Sequence, residues 1–346
     1  MEPVGRRQFL AGGGAALICT LGGQKVFRNE PANVSKLAGG LDVPPKVAAQ
    51  QRNGQAVLAA NQGKSSGTRR EYWIAAEKRN WKITPRGRDQ MNNQRIPGNK
   101  NKYSAYTYRG YTAGFGAPLA KGQIPGPLLV ANVGETMVVH YRNRLPTPTT
   151  MHPHGVHYDV EMDGAYKGKF TDPGGFVQKG QEFTYVWEAK KGTEGIWLYH
   201  DHGPMDPIPV YKGLFGPLII RDPSKPKPDR EFFVFMHALE PVATKLNKRF
   251  WCINGRAYAG NAPTFRAKVG ERVAFHVISL DDHFHTFHIH GHRWKDADGT
   301  IIDTKTMGPG ESFTFEFTED NPGRWLYHCH VFSHLHQGMT GWYIVD

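Results

Sequence analysis

From residue 71 to the end of the chain, the apolar positions fall in short runs rich in aromatic and β-branched residues. Each run is bounded by Gly, Pro, Asn or Asp. Such runs read as strands and their boundaries as turns. The first is Glu71-Tyr72-Trp73-Ile74-Ala75, where order is expected to begin. No segment sustains the 3.6-residue period of an amphipathic helix. The pattern predicts an all-β chain.

The runs recur as two copies. Val133-Gly134-Glu135-Thr136 precedes His152-Pro153-His154, and Val269-Gly270-Glu271-Arg272 precedes His288-Ile289-His290. The separation from Val to the first His is 19 in both (152−133 and 288−269). Gly180-Gln181-Glu182-Phe183-Thr184 and then Trp197–His202 have counterparts in Gly310-Glu311-Ser312-Phe313-Thr314 and Trp325–His330. A repeat of this length predicts two copies of one β domain. The join is expected at residues 223–229, where Pro and Lys alternate as in a short stiff linker. The copies are then 71–222 and 230–346, each large enough for a small β-sandwich or barrel with Greek-key connections.

Composition and charge refine this. The net charge of +12 invites a nucleic-acid reading, but ten Lys+Arg against three Asp+Glu lie in residues 1–70, leaving +5 for the rest. The excess sits in the tail, so no nucleic-acid partner is expected. Arg6-Arg7-Gln8-Phe9-Leu10 followed by the uncharged stretch Ala11–Gly23 reads as a twin-arginine (Tat) export signal over 1–23. That stretch is too short to span a bilayer, and no later window suggests a membrane span. The expected location is periplasmic or extracellular. Residues 24–70 show no sustained period and read as a flexible arm. Of three cysteines, Cys19 lies in the signal, which leaves Cys252 and Cys329 and no disulfide framework. Cys252, in an apolar run, reads as a buried core thiol.

Ten of the seventeen histidines form four clusters: His152/His154, His200/His202, His285/His288/His290 and His328/His330/His334. In a strand, residues i and i+2 share a face, so each His-x-His pair presents two imidazoles side by side. Imidazole suits Cu, Zn, Fe and Ni. Cys329 selects among them. A thiolate with imidazoles and a weak Met ligand defines a blue-copper site, and Met is a poor zinc ligand. Cys329, His334 and Met339 follow at intervals of five, and His285 is the natural second imidazole. His336 is an alternative to His334 with a less suitable spacing. Alternation places Cys329 on one strand face and His328 and His330 on the other. A few covalent bonds therefore join the thiolate to both imidazoles. The first-copy positions aligned with His285, Cys329, His334 and Met339 are Thr149, Asp201, Asp206 and Tyr211, which make no such site.

With Ile124-Pro125-Gly126-Pro127, His152-Pro153-His154-Gly155, Trp197–His202, His285–His290 and His328 through Met339, residues 71–346 resemble the multicopper oxidases. The closer resemblance is to the two-domain bacterial laccases, or small laccases. It implies two tandem cupredoxin-like Greek-key β-sandwich domains, with the thiolate copper only in the second. It implies four coppers per chain. Type 1 copper would take Cys329, His285, His334 and Met339, and type 2 copper His152 and His288. One type 3 copper would take His154, His200 and His330, the other His202, His290 and His328. It further implies a homotrimer whose trinuclear clusters form between the first domain of one subunit and the second domain of its neighbour. The expected activity is one-electron oxidation of small phenols or aromatic amines coupled to four-electron reduction of O₂ to water. The alternative is oxidation of Cu(I), Fe(II) or Mn(II). Asp163 is the candidate carboxylate for proton delivery, against a turn role in Asp163-Gly164. Tyr158 is a candidate redox-active tyrosine, against a packed strand aromatic. The basic insert Arg86–Lys102 falls outside this pattern and has no role on sequence grounds.

Overall fold

Besides two two-residue strands, Thr20–Leu21 and Gln24–Lys25, the computed structural model describes residues 68–169 and 172–346. Almost all of the expected export signal and of the expected arm lies outside the described residues. The first long strand begins at Arg69, two residues before the expected start of order. The first domain holds β1 (Arg69–Lys82), β2 (Lys102–Tyr111), β3 (Leu129–Asn132), β4 (Thr136–Asn143), β5 (His152–Pro153), β6 (Glu182–Glu188), β7 (Gly195–His200) and β8 (Phe215–Arg221). They form two sheets, β6-β4-β1-β2 and β3-β8-β7-β5.

The second domain repeats the plan. It holds β9 (Arg230–Leu239), β10 (Phe250–Ile253), β11 (Thr264–Ala267), β12 (Arg272–Ser279), β13 (His285–Ile289), β14 (Thr304–Met307), β15 (Ser312–Thr318), β16 (Gly323–Cys329) and β17 (Thr340–Val345). Its sheets run β10-β9-β12-β15 and β11-β17-β16-β13-β14. The parallel pairs β1/β4 and β3/β8 have counterparts in β9/β12 and β11/β17. The chain is all-β with two cupredoxin-like domains.

Strand alternation builds each core. Along β6, Phe183, Tyr185 and Trp187 point inward and join Tyr108, Tyr141 and Leu218. In the second domain Phe275, Phe287, Phe315, Tyr327 and Tyr343 play the same part. The repeat extends to single bonds. Tyr199 Oη–H donates to the Pro127 carbonyl (2.6 Å), and Tyr327 Oη–H to the Pro263 carbonyl (2.8 Å). Gly155 and Gly291, one residue past each second histidine, have φ of 73° and 71°. A Cβ at Gly155 would be driven into the Trp197 ring, and one at Gly291 would crowd Trp325. Only glycine suits a left-handed backbone pressed on an indole.

Both domains lie within one compact unit of the chain. A third apolar cluster joins them, including Trp81, Ile124, Leu198, Phe215, Phe235 and Phe250. Cys252 is wholly buried there. This explains why β12 is buried on both faces: Phe275 and Val277 enter their own core, while Ile278 enters the shared one. Across the linker, Arg221 and Glu231 form a two-pronged ion pair at 2.8 and 2.7 Å.

Candidate metal centres

The strand β16 ends in the thiol. Cys329 is wholly buried and pairs in register with Phe287, as its neighbour His328 pairs with His288. Beyond it, the short helix Phe332–His336 turns His334 back toward the sulfur. His334 Nδ1 stands 3.5 Å from Cys329 Sγ, and His285 Nδ1 stands 3.9 Å away. The three donor atoms lie within 4.8 Å of one another. His336 is exposed and outside this group, so the alternative to His334 does not hold. Met339 is wholly buried, and its carbonyl accepts the Cys329 N–H at 3.1 Å.

The surroundings tune these donors. Burial pushes the Cys329 thiol up. The His285 and His334 rings and the N–H groups of Thr286 and Val331 more than reverse this, to about 6. A thiolate is the form that binds metal. His285 uses its other nitrogen, Nε2, to reach Asp281 Oδ2 at 3.1 Å, both side chains having no exposed surface. Burial lowers the His285 pKa, but Asp281 and then Cys329 raise it to about 9. A carboxylate behind a ligand histidine fixes the tautomer that leaves the facing nitrogen free. Trp251 stacks on His334 with ring centres 3.5 Å apart. Asp281 and Trp251 carry no motif and escaped the sequence reading.

The remaining pair histidines form two sets of like geometry. In the first domain, His154 Nε2 and His200 Nε2 are 3.1 Å apart, and His152 completes a close triple. In the second, His290 Nε2 and His328 Nε2 are 3.0 Å apart, and His288 completes the triple. The Nδ1 atoms of His152 and His288 each lie 2.7 Å from a carbonyl, of Asp163 and Asp303. Those of His200 and His328 lie 2.8 Å from the carbonyls of Asp201 and Cys329. With Nδ1 so engaged, Nε2 is the free donor in all four. Burial, reinforced by neighbouring imidazoles, lowers His154 to about 4 and His200 to about 3. Burial likewise takes His328 to about 4. In these three rings burial favours the neutral form that metal ligation requires.

One histidine of each set packs on the others by its ring, His202 at 5.3 Å from His152 and His330 at 5.5 Å from His288, with its donor atom outside the close triple. His202 lies 5.7 Å from His200 between ring centres, and His330 lies 5.7 Å from His328. Among the described residues, no ring contact joins a histidine of the first set to one of the second.

Asp163 and Tyr158 both border the first set. Asp163 Oδ1 is 3.0 Å from His152 Nδ1, and Oδ2 is 2.7 Å from Lys167 Nζ. Burial raises the Asp163 pKa, but Lys167 and His152 outweigh it and hold the carboxylate below its usual range. Gly164, with φ of 72°, makes the expected turn as well. The Tyr158 ring is 6.2 Å from His152 and also packs on the first core. Asp201, at the position aligned with Cys329, is buried and accepts the Thr150 N–H at 2.7 Å. The first domain thus fills its counterpart of the thiolate site with a hydrogen-bonded carboxyl.

Two cupredoxin-like domains carrying one Cys-His₂ centre and two four-histidine sets offer the ligand chemistry of a multicopper protein. Comparison with known proteins agrees. The multicopper oxidase family matches residues 103–225 and again 236–346, and the chain belongs to that family. It is 33% identical over 241 residues to a probable nitrite reductase-hydroxylamine oxidoreductase fusion protein of Kuenenia stuttgartiensis, covering 64% of this chain and 28% of that one. It is 25% identical over 346 residues to the human ferroxidase HEPHL1, covering 80% and 29%. The chain thus spans less than a third of the length of these relatives. Among solved structures, a multicopper oxidase shares 25% identity with a TM-score of 0.65, covering 80% of this chain and 89% of that one.

Proposed function

We propose that this chain is an exported oxidase of laccase type, removing single electrons from phenols or aromatic amines and reducing O₂ to water. The observation that carries the reading is the strand His328-Cys329-His330, whose sulfur faces one centre while its flanking imidazoles enter another. Bound copper would supply one-electron redox chemistry at the thiolate and collect electrons for O₂ at the histidines. Cys329, His285, His334 and Met339 would hold type 1 copper. Cys329 is joined through the backbone to both flanking imidazoles. Asp281 orients His285, the buried Trp251 packs against its ring, and the exposed Phe284 next to it in the chain offers aromatic surface.

The histidine geometry supports assembly with further copies. His154 with His200, and His290 with His328, are each two donors in want of a third. The outlying His330 and His202 supply it when a first-domain set faces a second-domain set. His152 and His288 then meet across the same face as the type 2 pair. Among the described residues no ring contact joins the two sets, which supports completion of each cluster by a neighbouring copy, as in a homotrimer.

Oxidation of a metal ion is the second reading. The likeness to a protein named a ferroxidase favours it. So does Glu240, which lies 3.7 Å from His283 beside Trp251. Copper quantification with electron paramagnetic resonance tests the class: about four coppers per chain, with separate type 1 and type 2 signals, are expected. Comparing turnover of a phenol with that of Fe(II) tests the substrate. Turnover of Fe(II) alone would refute the laccase assignment.

A further inference from the structure

The segment after Trp81, including the start of the basic insert, is left without a role by the histidine chemistry. It leaves the first domain and runs along loop 254–261 of the second. The Arg86 N–H donates to Asn261 Oδ1 (2.8 Å), and Asn261 Nδ2–H donates to the Arg88 carbonyl (2.9 Å). The Gln90 N–H donates to the Ala259 carbonyl (3.0 Å). The loop is held in left-handed backbone at Tyr258 (φ 72°) and Gly260 (φ 88°), and the Gln90 side chain occupies the space that a Cβ on Gly260 would need.

This contact reaches both sides of Met339. Before it, the Gly338 carbonyl accepts the Tyr258 N–H at 2.6 Å. A Cβ on Gly338 would lie 2.7 Å from Ala257 Cβ and 2.9 Å from the Trp251 carbonyl oxygen, so the loop backs directly onto this residue. After it, Trp342 Nε1–H donates to Gln90 Oε1 at 3.1 Å. Met339 is anchored at its own backbone as well, its N–H donating to the His334 carbonyl at 2.9 Å.

We infer that this first-domain segment is a positioning brace for Met339, setting the axial thioether relative to the thiolate centre and so tuning its reduction potential. The inference rests on the reading of Met339 as the type 1 axial ligand. The bond from an axial thioether to copper is long and weak, so it cannot by itself hold the loop. Besides the two backbone bonds of Met339 itself, its position comes from what grips residues 338 and 342: Gln90 holds Trp342 directly, and Asn261 holds the Gln90 segment against the loop that backs onto Gly338. Loosening this grip would let the thioether recede, which with copper bound would withdraw a donor from the oxidised ion and favour the reduced one.

The test uses full-length, copper-loaded Gln90→Ala, Asn261→Ala and Gln90→Glu. Each is equilibrated with a one-electron mediator while the thiolate-to-copper absorption is followed. For Gln90→Ala and Asn261→Ala the equilibrium is expected to move about tenfold toward the reduced centre, which is 59 mV for one electron. Copper content should not change. Gln90→Glu keeps an oxygen for Trp342 and should stay near wild type. Gln90 is exposed, so Gln90→Ala decides the matter if Asn261→Ala fails to fold. Variants that melt earlier yet poise with the mediator as wild type does would make the segment a domain clamp only and overturn the brace. A wild-type protein without the absorption band would refute the oxidase reading itself, and the brace with it.

Discussion

Replacing Asp281 probes how His285, the proposed type 1 ligand, is held. Asp281 uses separate oxygens for two donors: Oδ1 accepts the His283 N–H at 2.7 Å and Oδ2 accepts His285 Nε2–H at 3.1 Å. In Asp281→Asn a single oxygen remains, so one buried donor meets an amide N–H instead. An unsatisfied buried donor costs about 1–3 kcal/mol. The negative charge is lost too, and charge-assisted bonds are roughly twice as strong as neutral ones. Removing the partner behind a ligand histidine typically costs about 10–100-fold in metal affinity. We therefore expect Asp281→Asn to lose about tenfold in copper affinity at the thiolate site, and Asp281→Ala up to about a hundredfold. The assay is competition with a copper chelator, read by the blue band. Melting of the metal-free variants establishes that they are folded. If both variants retain copper as tightly as wild type, Asp281 does not position His285 and the reasoning fails.

Cys329→Ser is expected to abolish the blue absorption and oxidase turnover while the cupredoxin fold, read by circular dichroism, survives. A His154→Ala/His200→Ala chain and a His290→Ala/His328→Ala chain should each be inactive, yet regain turnover when co-expressed, because a mixed trimer restores one intact cluster. Absence of recovery, with mixed assemblies shown by mass spectrometry, would place each cluster inside one chain. Burial raises the Glu231 pKa, but His276 and Arg221 bring it from 4.5 down to about 2. The stability this contributes is fully present above pH 4.5 and is lost as pH falls through 2, amounting to at most about 3 kcal/mol. Glu231→Gln should therefore lower the melting temperature at pH 7 and flatten its decline between pH 4.5 and 2, and parallel melting curves for both proteins would contradict this.

The chemistry was legible in the sequence where it depends on local rules. Period-two alternation aims both members of a His-x-His pair at one face, and it turns Cys329 away from His328 and His330 wherever the strand lies. The repeat likewise marked the first domain as lacking a thiolate centre, since Asp201 stands where Cys329 would. What tertiary structure alone decided depends on contacts between residues far apart in the chain. Trp251 reaches His334 only because β10 and the helix Phe332–His336 come together in the fold. Gln90 meets Trp342 only because the domains close on a common apolar core, which alternating Pro and Lys in the linker do not announce. Asp281 carries no motif of its own, and its value comes from being sealed from water beside His285. The separation of the histidines into two sets is the clearest case. Spacing counts ligands, but only the folded arrangement of the two domains determines which of them can meet.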